Sequence, residues 1–463
     1  MDLPVIDPPI FPRWVWIEEI TYSHIPIATL INTLVLLAPI YEYIGIRRQD
    51  PRYDRLARGF VTFSLILFSP GAALGTGIPM WIMGTYPEFW SRWSNLFFWP
   101  LVAQFAFFLG EVVFLFFFYY LAWEKLRDRK TLHVALGCVA AAFTLLVQAV
   151  WDALGSYMLT PAAPLPAINE PVAWSAAAFF NPSFPFLFWH RFFGNLSYVM
   201  LLVGGVFAVC AMKTRDEPER DYYAFAARAT FPLGYLAFFA MPLIGWGYAS
   251  VIRQHAPVAF HALMGGHVAP HFLVKMFLVG AMVALGAVHL FAAPKNGRPL
   301  RLSVSAGLLL VLFVLLAHPP LPTITASRPV WTLGLLSGFA AFLFLLWRFV
   351  PGMSGKHPFW QWSKLVVGLL AFGAFLIGGF VRERSRSPYT VYKEIVKPEV
   401  VDREADRFLF YDKCLGCHSV AELTAERTTD WPARVAAERQ RHGLDLSDEQ
   451  AAAIVRHLED GYR

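Results

Sequence analysis

The sequence predicts an all-α fold: a polytopic bundle of about ten transmembrane helices followed by a small α-helical domain. Two observations carry that prediction. Of 463 residues, 57% are apolar, 16% aromatic and only 16% charged, a balance that needs lipid as the solvent for much of the surface. Charge is also split unevenly. Lys397 to the C-terminus carries ten basic and fourteen acidic residues, so the net +6 of the whole chain hides an acidic tail behind a basic apolar part. A soluble enzyme, a disordered scaffold and a nucleic-acid binder all fit this composition poorly.

Apolar runs long enough to cross a hydrocarbon layer of ~30 Å, roughly 20 helical residues each, fall at about 24–45, 58–80, 96–123, 131–159, 185–212, 229–252, 269–293, 302–318, 329–350 and 363–381. They are continuous rather than alternating, which selects helices over a barrel. Orientation follows from the connections, since Lys and Arg stay on the cytoplasmic side. One set of alternate loops holds nineteen of them: Arg47, Arg48, Arg52, Arg55, Arg58; Lys125, Arg127, Arg129, Lys130; Lys213, Arg215, Arg220, Arg228; Lys295, Arg298, Arg301; Arg348, Lys356 and Lys364. The other set holds four, Arg13, Arg92, Arg253 and Arg328. The N-terminus is therefore expected outside a bacterial-type inner membrane, and ten crossings return the C-terminus to the same side. The first helix, without a basic start or a small-residue cleavage site, reads as retained.

After Phe380 the text turns polar, with Pro388 and Pro398. The expected division is a membrane domain over 1–381, a linker over 382–399 and an exported domain over 400–463. Some 60 residues bury too little apolar surface to be stable without a staple. Cys414-Leu-Gly-Cys417-His418 supplies one. Two thiols three positions apart each add to a haem vinyl group, and the adjacent imidazole of His418 reaches the iron, so the motif reads as an attachment site for one covalent haem c. A zinc half-site lacks a second Cys pair. Trp431-Pro432 with Val435, then Leu446-Ser447-Asp448-Glu449 and Ile454-Val455-Arg456-His457-Leu458, resemble the segments before and within the last helix of a class I cytochrome c, with Ser447 as its N-cap. Such domains usually supply a distal Met, and none follows Met353. The sixth iron position is left to His442, to the less suitable His457, or open.

Ionisable residues at membrane depth mark candidate sites. His24 heads the first helix, His190 the fifth, and His271 lies early in the seventh with Lys275 and Met276 a turn later. Gln104 and Glu111, seven apart on the third, share one face. His133 and His289 fall toward the inner side and read as interfacial; Cys138 and Cys210 read as packing.

In this order the residues resemble subunit I of the cytochrome bd oxidase family over roughly 15–290. Thr21-Tyr-Ser-His24-Ile-Pro, Gly75-Thr-Gly-Ile-Pro-Met80, Ala106-Phe-Phe-Leu109 with Glu111, Trp151 to Pro161, and Asn181-Pro182 followed by His190 carry the likeness. The resemblance implies His24 as ligand to a haem of the high-spin pair and His190 as ligand to the low-spin b haem. The second ligand to that haem, a Met on the family's seventh helix, becomes Met276, with His271 as rival. It also implies two or more haems b, or b plus a d-type chlorin, and a second membrane subunit.

Two departures bear on function. The family's third helix carries two Glu residues, and here Glu111 stands with Gln104 upstream. The long quinol-binding loop is replaced by about seventeen residues, Arg253 to Ala269, holding His255, His261 and His267, which read mainly as solvated or capping and otherwise as ligands to a further metal. The expected function is a membrane-bound b/c-type cytochrome passing electrons between haem c and b-type haems. In enzymatic form it is a bd-like terminal oxidase or reductase fed by a c-type donor or a partner dehydrogenase, with Glu111 ligating a haem or delivering protons. The alternative is an electron-transfer subunit of a larger respiratory complex with no catalytic site. Lipid and other cytochrome c or dehydrogenase subunits are the expected partners, and nucleic acid is not.

Overall fold

The computed structural model describes residues 6, 10, 13–163, 166, 174–256, 259–260, 263, 268–292, 358–390, 406, 409–410, 413–414, 430–444 and 446–461. Among them every regular element is helical. In chain order these are α1 (Arg13–Arg48), α2 (Pro51–Thr85), α3 (Pro87–Leu96), α4 (Phe98–Val112) running into a π-helical stretch Val113–Tyr120, α5 (Lys130–Tyr157), α6 (Ala176–Phe179), α7 (Phe184–Lys213), α8 (Glu217–His255), α9 (Ala269–Ala292), α10 (Pro358–Thr390), α11 (Trp431–His442) and α12 (Asp448–Gly461).

Seven of the described spans are long and apolar enough to cross a membrane. They correspond to the first six predicted crossings and the tenth, while α9 covers the seventh. The predicted crossings at 302–318 and 329–350 lie outside the described residues.

Helix starts follow local chemistry. Asp50 caps α2, accepting from the Arg52 amide, with Pro51 at the first position; the Arg52 guanidinium beside it holds the Asp50 carboxyl below its ordinary range. Asp216 caps α8 through the Glu219 amide at 3.1 Å, and Glu217 and Glu219 in its first turn oppose the positive end of the helix dipole. Prolines inside α1, α2 and α8 are tolerated where neighbouring groups take up the freed backbone. Near Pro26, Thr29 Oγ1 donates to the Ile25 carbonyl at 2.9 Å and is hydrogen-bonded to the Tyr198 hydroxyl of α7.

The bundle packs α7 against α8 and α10, α1 against α2 and α5, α4 against α5, and α9 against α10. Small residues set the closest approaches, as expected where helices meet in lipid. A Cβ on Gly204 would lie 2.7 Å from Phe231 Cβ of α8, and one on Gly368 of α10 would lie 2.6 Å from Leu202 Cα of α7.

In the tail, α11 and α12 close over Phe410, Trp431, Val435, Leu446, Ile454 and Leu458. The expected cap of α12 is formed reciprocally: Ser447 Oγ accepts from the Gln450 amide at 3.1 Å and Gln450 Oε1 accepts from the Ser447 amide at 2.9 Å. Arg456 binds Asp406 with two hydrogen bonds, at 2.9 and 3.1 Å.

Three elements differ from the sequence reading. Helix α10 continues to Thr390, through the first part of the segment read as linker. It thereby adds Arg382, Glu383 and Arg384 to a membrane helix. The short helices α3 and α6 were not anticipated, because ten and four residues are too few to show a period.

Candidate functional site

His24 lies well inside α1, where its half-buried ring meets α2. Nδ1 is 2.9 Å from the Gly71 carbonyl oxygen. A carbonyl only accepts, so Nδ1 carries the proton and Nε2 keeps its lone pair. Beneath the ring lies Gly75, where a Cβ would stand 2.7 Å from His24 Cε1. The imidazole is thus fixed in tautomer and orientation with one nitrogen free, the arrangement in which a backbone carbonyl positions a metal-ligating histidine.

His190 sits in the second turn of α7 and faces α8. Gly245 lies opposite, its would-be Cβ 3.9 Å from His190 Cδ2 and Nε2, and the Tyr248 ring centroid is 5.9 Å from that of His190. One turn further along the same pair of helices, the Met241 thioether lies over Gly194, with Cε 3.3 Å and Sδ 3.7 Å from where a Cβ would be. Met241 escaped the sequence reading because a Met in an apolar helix has no pattern of its own.

A buried polar network joins α1, α5 and α7 and includes Arg191, the residue after His190. Asp152 is fully buried, with Oδ1 2.5 Å from Arg191 Nη1. Gln148 donates to Asp152 Oδ2 at 3.2 Å and accepts from Asn32 at 3.2 Å and Asn195 at 3.3 Å. Arg382 donates to the Gly155 carbonyl at 2.8 Å. A Gln and an Asp four residues apart in an apolar helix were a legible signal of this network.

The remaining expected residues are distributed as follows. Glu111 is buried at the end of α4 and accepts from Thr144 Oγ1 of α5 at 2.9 Å. Gln104 faces the same helix: with its amide oriented to satisfy both ends, it accepts from Trp151 Nε1 at 2.8 Å and donates to the Val147 carbonyl at 3.3 Å. It is therefore occupied away from Glu111. On α9, Lys275 approaches Gly378 of α10, its Nζ 3.3 Å from that would-be Cβ. His271, one turn earlier, is exposed with its ring 4.8 Å from Phe380; Met276 is half-buried. His255 is exposed, and His261 and His267 lie outside the described residues. Among the described residues no group of three metal-binding side chains forms.

His133 is corrected outright. It is 1% exposed rather than interfacial, because Glu42 and the Tyr119 carbonyl take up both ring nitrogens at 2.7 and 2.8 Å. Cys138, read as packing, is exposed on the outer face of α5.

In the tail, Cys414 is half-buried against the Phe410–Trp431 core. A groove of about 1010 Å³ opens between α11 and α12, lined by Val435, Arg439, Leu444, Ala451 and Val455 among others. Cys417, His418 and the side chain of His442 lie outside the described residues.

The fold is similar to that of a solved bd oxidase. The bd oxidase from Geobacillus thermodenitrificans aligns over 86% of this chain and 94% of that chain, with 17% identity and a TM-score of 0.55. This is a likeness of fold. No curated protein sequence matches the chain. The family model described as cytochrome bd terminal oxidase subunit I matches residues 15–405. That span takes in His24, Glu111, His190 and α9 and extends through the whole of α10. The chain therefore belongs to the cytochrome bd terminal oxidase subunit I family.

Proposed function

We propose that this subunit is a membrane-bound b/c-type cytochrome that exchanges electrons between a covalent haem c on its tail and b-type haems in its bundle. It works as a bd-like terminal oxidase or reductase with a c-type rather than a quinol donor. Haem iron, when bound, supplies one-electron transfer and, where a coordination position is open, binding of a small oxidant.

The observation that carries the reading is His24: proton on Nδ1, lone pair on Nε2, and a glycine where any other residue would displace the ring. His190 would hold the second group, with Gly245 leaving room against its ring. Lys275, beside Gly378, would suit an acidic substituent of a macrocycle, while Arg191 and Arg382 are already engaged by Asp152 and the Gly155 carbonyl. Met276, His271 and now Met241 are the residues available for the opposite face. Glu111 stands ready to hold or pass a proton.

In the tail, Cys414 packs against the Phe410–Trp431 core, and with Cys417 and His418 it would form the attachment motif. The division into a membrane part, a linker and a domain over 400–463 is proposed on composition, with α10 running to Thr390 into the segment read as linker. The export of that domain and the external N-terminus rest on the nineteen-to-four asymmetry of basic loops. A second membrane subunit would cover part of the exposed apolar surface, which includes Phe105, Leu109, Phe117 and Leu121. The acidic tail suits a basic donor or dehydrogenase surface.

One observation favours a second reading, an electron-transfer subunit without chemistry of its own. Gln104 is tied to Trp151 and Val147, so Glu111 lacks a carboxylate companion on α4. Carbon monoxide difference spectra of the reduced protein separate the two. A high-spin response that disappears in His24→Ala supports the enzyme, and the absence of any carbon monoxide response in the wild type establishes the transfer subunit. Replacing Cys414 and Cys417 together by Ala should abolish haem staining on a denaturing gel while the b-type bands persist; retained staining would refute covalent attachment.

A further inference from the structure

At the arginine-rich end of the bundle lies a buried acid–base cluster that touches none of the candidate haem ligands. Glu42 of α1, Tyr119 of the π-helical stretch and His133 of α5 are 2%, 0% and 1% exposed. His133 Nε2 is 2.8 Å from the Tyr119 carbonyl oxygen, which only accepts, so Nε2 carries a proton. His133 Nδ1 is 2.7 Å from Glu42 Oε1, a contact that requires a second proton between nitrogen and oxygen. That proton rests either on the ring, giving an ion pair, or on the carboxyl, giving two neutral groups. Both forms have the same net charge and the same hydrogen bonds, so the proton shifts without moving a heavy atom. The Tyr119 hydroxyl donates to the other carboxylate oxygen at 3.0 Å.

The surroundings bear on whether this is only a structural clasp. The Tyr119 and Trp123 rings enclose His133, with centroids 4.6 and 4.7 Å away. Gly137 admits the Tyr119 ring, since a Cβ there would stand 2.6 Å from Cε2. Toward the rim, Asp54 of α2 is bound at 2.7 Å by Lys130, both partly exposed; Lys130 opens α5 and lies one turn before His133. Toward the interior, Glu111 is held by Thr144, eleven residues from His133 on α5 and so roughly 16 Å deeper. The stretch joining Glu111 to Tyr119 is π-helical, a geometry that concentrates at functional sites. Protonatable groups thus stand at a partly exposed rim, in the buried Glu42–His133–Tyr119 cluster and, deeper, at the Glu111 carboxyl.

We propose that Glu42, His133 and Tyr119 form a proton-holding station on the cytoplasmic half of the subunit, filled from the Asp54–Lys130 rim and discharging toward Glu111. The proposal rests on the haem reading above, which supplies the electrons such protons would follow. One proton leaves the Glu42–His133 pair inward across intervening water. One from the cytoplasm replaces it by way of Asp54 and the Tyr119 hydroxyl. The pair ends as it began, and no electron passes through it.

The test uses the purified holoprotein in liposomes, wild type and the variants Glu42→Gln and Tyr119→Phe, each with its haem spectrum recorded first. Glutamine keeps size and hydrogen bonding but has no transferable proton, so a structural clasp tolerates it. Proton uptake accompanying haem reduction, followed with a pH-sensitive dye, is expected to slow about a hundredfold in Glu42→Gln, less in Tyr119→Phe, and to recover when a small permeant weak acid is added. Uptake at the wild-type rate in Glu42→Gln, or slowing that weak acid does not relieve, overturns the station. Redox-difference infrared spectra of the wild type provide a check independent of variant folding. A deuterium-sensitive carboxyl or imidazole change on haem reduction, lost in Tyr119→Phe or Glu42→Gln, supports the proposal, and the absence of any such change in the wild type refutes it. A wild-type protein carrying no b-type haem instead overturns the functional reading, and the station with it.

Discussion

Replacing Arg191 by Leu is expected to destabilise the bundle by about 3–5 kcal/mol, measured as a fall in the thermal unfolding midpoint of the detergent-solubilised protein. Its partner Asp152 has no exposure at all, and the 2.5 Å contact with Arg191 is its strongest. The other hydrogen bond comes from Gln148, whose oxygen already serves Asn32 and Asn195. Without the guanidinium, a carboxylate is left in a low-dielectric interior where water cannot replace the lost donor. The more distant charge of Arg382 compensates only partly. Converting both residues together, Asp152→Asn with Arg191→Leu, should recover much of the loss, because the pair itself contributes less than the penalty of breaking it. A change under about 1 kcal/mol in Arg191→Leu would place the pair with exposed surface bridges and contradict its role in joining α5 to α7 beside the site.

What was legible in the sequence depended on how each feature is encoded. Membrane helices are written in long apolar runs, so α1, α2, α4, α5, α7, α8 and α10 were expected close to where they lie. Ser447 was readable as a cap because capping depends on residues three apart. The positions of His24 and His190 within membrane helices were readable, and their proposed role rests on how conspicuous an imidazole is at that depth. Features made by distant parts of the chain were not readable. Nothing near His133 shows that Glu42, ninety-one residues away, will cover it, so a buried histidine was taken for an interfacial one. Nothing near Gln104 shows that Trp151 will occupy it, and nothing near Met241 shows that Gly194 will admit its thioether. The polar text after Phe380 was read as linker because composition changes there, yet the helix persists to Thr390. Its Arg382 is drawn inward by the Gly155 carbonyl, a partner no local pattern reveals.

His190→Leu is expected to abolish the low-spin b-type spectrum while leaving the c-type band and the carbon monoxide response at His24. Leucine comes close to imidazole in volume, so packing against Tyr248 should change stability by less than about 1.5 kcal/mol, and loss of the band then reports loss of a nitrogen ligand rather than of the fold. The same logic distinguishes the opposite face of that group. If a thioether binds there, replacing it by an isosteric leucine should convert a six-coordinate spectrum to a five-coordinate one with His190 still in place, and only one of Met241 and Met276 can have that effect. If neither does, His271 is the remaining candidate, and its replacement should raise the potential of any haem that then takes a thioether instead. Persistence of every b-type band in His190→Leu would remove His190 from the site.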